Sequence, residues 1–365
     1  MRTSEPRRGI HRLWVWVVIL VLGLSLTAPP AFARRRPRPR HEIKFATLAP
    51  EGSTWMKIMR QLDAELYERT GGELGFKIYA GGVSGDEKDV LRKIRIGQLH
   101  AGGFTGVGMG EILPEVRVLD LPFLFFNYDE VDHVIGKMEE TFARRFAERG
   151  FILLGWAEVG FVHFFSKSPI RTQDDLKAHK VWMWQGDPLA QAYFRALGVS
   201  PVPLAVTDVL TSLQTNLVDT VYACPLCVVA LQWHTKVSYM WALPMADAIG
   251  AVLISKKAFD RLPPKHQALL KERTREYMRR LVLQTRADNT RALEVLLKRG
   301  IQVVAAPQNE EMERFVTTGR QAQQSLVGRL YSQELLDKVR NAVADFRRLH
   351  PEKALTPISA STKNP

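Results

Sequence analysis

Residues 178–198 read AHKVWMWQGDPLAQAYFRALG. The run VWMW is β-branched and aromatic, as a strand favours. Asp187 then stands at a helix cap with Pro188 in the first helical position, and Gly198 follows the helix end. A strand leading into a helix in this way is the unit of an α/β fold. Strand side chains alternate between faces, so Trp182 and Trp184 look the same way. Two neighbouring indoles fill a core or line a ligand site.

The same alternation runs through the chain. IKFATLA (43–49) and LGFKIYA (74–80) read as strands around a helix capped at Ser53 or Thr54, and DEKDVLRKIRIG (86–97) as the next helix. A helix from about 129 to 149 precedes two expected strands, FILLGWAEVG (151–160) and FVHFFSKSPI (161–170). After AIGAVLIS (248–255) one amphipathic helix runs without a breaker from 263 to 299, and two more follow at about 308–327 and 332–349. This order predicts an α/β protein of two lobes with a cleft between them. Ligands of such folds sit at the carboxyl ends of strands, between domains.

Charge is placed unevenly. The first 41 residues hold nine arginines and one acidic residue, so most of the net charge of +13 lies there. The remainder mixes both signs, which argues against a nucleic-acid partner. Arg2, Arg7, Arg8 and Arg12 precede the apolar run Leu13–Ala28, and Ala31-Phe32-Ala33 has the small residues of a cleavage site. The N-terminus is therefore read as a signal peptide cleaved after Ala33, followed by a stiff basic Pro/Arg linker (34–41), with the mature protein in the periplasm. The C-terminal residues 351–365 are expected to be disordered.

Motifs of catalysis are missing from the sequence. GGFTGVGMG (102–110) lacks the endings of a P-loop or dinucleotide fingerprint and is read as a tight loop lining a cleft. No G-x-S-x-G or H-E-x-x-H occurs, and His163 and His234 stand alone. Cys224 and Cys227 are the only cysteines; an exported compartment permits a disulfide, while a metal site needs more ligands. No enzyme activity, cofactor or metal is expected. Five tryptophans, at 156, 182, 184, 233 and 241, cluster in the middle of the chain.

Four stretches carry a family resemblance: IYAGGVSGDEKDVLRKIRIGQLHAG (78–102), VLDLPFLFFNYDEVDHV (118–134), DDLKAHKVWMWQGDPLAQAYFRALGVSPVPL (174–204) and LQTNLVDTVYACP (213–225). In this order they resemble the DctP-type extracytoplasmic solute receptors of tripartite ATP-independent periplasmic (TRAP) transporters, from about Ile43 to His350. The resemblance implies hinge strands, a long helix spanning both lobes, a cleft that closes on a small organic ligand, and delivery to a membrane permease. It divides the chain into lobe I (42–160 and 247–299) and lobe II (161–246 and 300–350).

It also implies two arginines that grip a carboxylate, and this chain departs there. Trp182 takes the place of the first, in Lys180-Val181-Trp182-Met183, and Val162 that of the second. Cys224 replaces a polar residue before Pro225. The expected ligand is therefore apolar or amphipathic, in a cleft lined by Trp182, Trp184, Val162, Phe104 and Trp55. Trp156, Glu158, Tyr222 and Cys224 complete that expected lining. Some receptors of this kind work with tetratricopeptide partners and have apolar clefts, so such a partner is a further expectation. Alternatives are an aromatic box for a quaternary ammonium, helped by Glu158 or Asp187, a carboxylate site with displaced anchors, and a thiol–disulfide enzyme using Cys224 and Cys227.

Overall fold

A computed structural model describes residues 36–353; the expected signal peptide with its cleavage site, and residues 354–365 of the tail expected to be disordered, lie outside the described residues. The chain begins β1 (His41–Ala46), α1 (Thr54–Arg69), β2 (Leu74–Tyr79), α2 (Glu87–Arg95), β3 (Ala101–Thr105). Next come α3 (Gly106–Ile112), a 3-10 turn at Pro114–Asp120, α4 (Tyr128–Glu148) and β4 (Phe151–Ser166). The middle consists of β5 (Trp182–Trp184), α5 (Pro188–Leu197), β6 (Val202–Leu204), β7 (Thr220–Ala223), α6 (Pro225–Ala230) and β8 (Tyr239–Trp241). Then follow β9 (Ala246–Ser255), α7 (Pro264–Lys298), β10 (Gln302–Val304), α8 (Asn309–Ser325) and α9 (Gln333–Leu349).

One sheet runs in the order β10-β8-β4-β9-β3-β1-β2, with β7 also paired to β4. β1, β2 and β3 are parallel because helices return the chain between them. β4 is shared by two half-sheets: Phe151–Val162 pair with β9, while His163–Ser166 pair with β7 and Phe165–Ser166 with β8. β5 and β6 form a separate parallel pair in the second half. The arrangement is the expected mixed α/β fold with a strand common to both halves.

Three expectations need correction. The two strands expected at 151–170 are one strand of 16 residues, which bends at register shifts near Leu153/Gly155 and Glu158/Gly160 instead of ending. The glycine-rich run at 102–110 is not a loop but the end of β3 followed by α3, capped by the Thr105 hydroxyl. The segment 300–350, assigned above to lobe II, divides. α8 packs on α5 in the second half, but α9 packs on α4 in the first, with Val339 and Val343 in one core with Val134 and Phe142. Its amphipathic face fits α4, and chain order alone carries no such information.

The long helix braces both halves. Leu270, Met278 and Leu281 enter the core formed with β1 and α1, and Leu296 enters another with Trp182 and Val209. Midway, the Asn289 amide donates to Val159 O at 2.9 Å and accepts from Leu226 N at 3.0 Å, joining β4 to the start of α6. Gly160 lies under this crossing at φ +111°, and a Cβ there would come within 2.4 Å of Asn289 Nδ2. No helix among the described residues is long and apolar enough to cross a membrane.

Gly160→Ala should lower stability by about 1–3 kcal/mol from backbone strain, before the displacement of Asn289 is counted. A urea titration measures it. An unchanged midpoint would mean the crossing is loose.

Candidate functional site

A cavity of about 840 Å³ lies where the half-sheets meet. The first half contributes Trp55, Phe104 and Glu87, the second Trp182, Trp184, Tyr222 and Trp233, and β4 and β9 supply Val162 and Asp247. The glycines of β3 and α3 make this wall possible. A Cβ on Gly103 would lie 2.8 Å from the Trp55 ring, and one on Gly106 would strike the Asp120 carboxylate at 1.7 Å. The run serves close packing rather than phosphate binding.

The tryptophan pair belongs to both core and cavity. Met183 enters one core while Trp182 and Trp184 enter another, as strand alternation requires. The Trp182 ring stacks on Tyr222 with centroids 4.9 Å apart and planes 23° apart, and meets Trp233 edge-on at 5.3 Å. Its Nε1 donates to Leu204 O at 3.1 Å. At 2% exposure Trp182 is also structural, so truncating it is expected to cost stability as well as affinity. Trp184 Nε1 donates to Asp86 Oδ2 at 2.8 Å, and Asp86 caps α2 through its other oxygen. That bond joins one half to the other beside the cavity.

Two arginines line the cavity, Arg117 and Arg291, and both are paired. Arg117 donates through Nη1 and Nη2 to Asp187 at 2.8 and 3.1 Å, and through Nε to Asp120 at 2.8 Å. Burial works against its charge, but Asp187 and Asp120 more than offset this and keep it protonated. Burial likewise raises Asp120 to about 6, against the pull of Arg117. Glu158 pairs with Arg286, whose Nη2 lies 2.6 Å from Oε2; its carboxyl is raised by burial despite that partner.

Asp187 and Glu158, the carboxylates expected to assist a quaternary ammonium, are thus both occupied. Cys224 caps α6, with its Sγ 2.7 Å from Cys227 Sγ, and both thiols are free. Burial pushes the Cys224 thiol up, the reverse of what a redox nucleophile requires. Among the described residues no group of three His, Cys, Asp or Glu could hold a metal ion.

Of the expected lining residues, Trp182, Trp184, Val162, Phe104, Trp55, Glu158, Tyr222 and Cys224 line this cavity. Trp156 does not: its ring packs edge-on against Phe142 at 6.1 Å, on the α4 side of β4. Sequence reading missed Arg117, Asp120 and Asp247. The signal available was charge inside apolar runs, in VRVLDLPFLF and MADAIGAVLIS.

Glu87 offers a test of this buried wall. Its carboxylate accepts from Thr105 N, Thr105 Oγ1 and Gly108 N at 2.7–2.9 Å, yet burial raises it to about 7. A carboxyl with a raised folded pKa binds a proton that the unfolded chain has lost, so its contribution to stability is full below about 4.5 and lost as pH rises through about 7. Glu87→Gln should flatten the decline in unfolding free energy across that window, read from urea midpoints at successive pH values. An unchanged slope would show that Glu87 is ionised throughout.

The model of the bacterial extracellular solute-binding proteins, family 7 (DctP), matches residues 45–328. A solute-binding protein of Chromohalobacter salexigens is 32% identical over 165 residues, covering 45% of this chain and 49% of its own length. The sugar acid binding protein of Advenella mimigardefordensis, solved with galactonate, superposes with a TM-score of 0.79 at 22% identity over 84% of this chain and 99% of its own. A TRAP periplasmic solute binding protein of Xanthobacter autotrophicus with bound β-D-galacturonate gives 0.77 at 20% identity, over 83% and 99%. Matched over most of its length and built around a cavity walled from both half-sheets, the chain belongs to the DctP family of bacterial extracellular solute-binding proteins.

Proposed function

We propose that this protein is the periplasmic receptor of a TRAP transporter and captures an amphipathic organic ligand, largely apolar, for delivery to the membrane permease. The observation that carries the ligand class is the absence of an unpaired cation among the described residues lining a cavity walled by indole, phenol and phenyl rings. A carboxylate entering it would lose hydration with no free buried cation to replace it, since Arg117 is held by Asp187 and Asp120, and Arg291, paired with Asp288, sits largely in solvent. Apolar surface gains about 25 cal/mol per Å² on leaving water there. Export would follow cleavage after Ala33, and N-terminal sequencing of periplasmic protein should then begin at Arg34; retained Met1 would exclude it.

A second reading, a sugar acid, is favoured by the galactonate and galacturonate held by the structural relatives. It would require Arg117 to exchange Asp187 or Asp120 for the ligand's carboxylate.

Titration calorimetry separates the two. D-Galacturonate should give no saturable binding, while apolar ligands extracted from protein purified from its own host, identified by native mass spectrometry, should rebind. Trp184→Ala should weaken such a ligand by about 2 kcal/mol. Tight galacturonate binding by the wild type would overturn the amphipathic reading.

A further inference from the structure

Asp247 is fully buried, lines the cavity, and has no hydrogen-bond partner on either carboxylate oxygen. The other lining carboxylates, Glu87, Asp120, Glu158, Asp187 and Asp288, all have partners. The cavity's unpartnered hydroxyls, Thr285 Oγ1 and Tyr193 OH, are not bonded to it and carry no charge. Arg286 exerts a favourable field, but its N–H groups are taken by Glu158 and Asp132. Glu158, Asp120 and Asp132 repel a charge at this position, and Cys224 and Tyr128 add no cation.

Burial pushes the Asp247 carboxyl well above the usual carboxylate range, so before any ligand binds it keeps its proton, and even a neutral acid without partners is costly to the fold. Such a residue is explained when a ligand supplies what the protein withholds, since binding sites trade stability for function. Two unserved acceptor oxygens call for a group that carries both positive charge and N–H donors. A quaternary ammonium has no N–H, and a carboxylate has the wrong sign. We propose that Asp247 anchors a protonated primary or secondary amine on the ligand, whose apolar body lies against Trp182, Trp184, Tyr222 and Trp55. This rests on the apolar reading of the cavity and adds a head group to it. The aromatic walls favour the same choice, because ring faces attract cations.

Three probes with one tail and different heads test it: octylamine, octanol and octanoate, titrated into the intact mature protein. The amine should bind about tenfold or more tighter than the alcohol, as a charge-assisted hydrogen bond provides, with octanoate weakest. Asp247→Asn should bring amine and alcohol to similar affinity, and its melting temperature should hold because a neutral amide of the same shape replaces a neutral acid. Equal amine and alcohol affinities in the wild type, or an amine preference that survives in Asp247→Asn, would overturn the amine anchor alone. Octanoate or galacturonate binding, with amine and alcohol both excluded, would overturn the apolar reading and this inference together. The wild-type comparison decides the matter even if the variant folds poorly.

Discussion

A guanidinium buried to the extent of Arg117 must have its charge met on every side, and the surrounding structure is arranged to do so. Asp120 reaches it from the same 3-10 turn, and Asp187 reaches it from the cap of α5 in the other half. Gly106 is a glycine because any side chain would displace Asp120. The same bonds that join the halves remove from the cavity the one buried arginine a carboxylate ligand could have used. In the proposed reading, stability and selectivity both rest on this one ion cluster.

The cavity wall is consequently acidic in balance and aromatic in texture. Each carboxylate but Asp247 is matched to an internal donor, so in the proposed reading recognition is left to the rings and to Asp247. Trp182, Tyr222 and Trp233 hold one another by stacked and edge contacts, which fixes their faces before any ligand arrives. Pre-set rings lose little conformational freedom on binding.

Much of this was legible in the sequence, for definite reasons. Asp187, Pro188 and Gly198 mark the ends of α5 through backbone geometry that depends on local chemistry alone. Alternation along VWMW correctly placed Trp182 and Trp184 on one face. The continuity of β4 was hidden because Gly160 reads as a stop, and only the helix crossing above it shows why a bend suffices. Trp156 was misplaced because the sequence does not show how far along β4 the cavity reaches; its ring meets Phe142 of α4 instead. The pairing of Arg117 with Asp187, 70 residues away, is a tertiary contact that no local pattern records.

Asp86 gives the cavity a kinetic character. One of its oxygens caps α2 while the other holds the indole N–H of Trp184 on the far side. Parting the halves would cost that bond and would also strip Asp187 from a buried cation, so any opening motion that admits a ligand must first break polar contacts the cavity has already made.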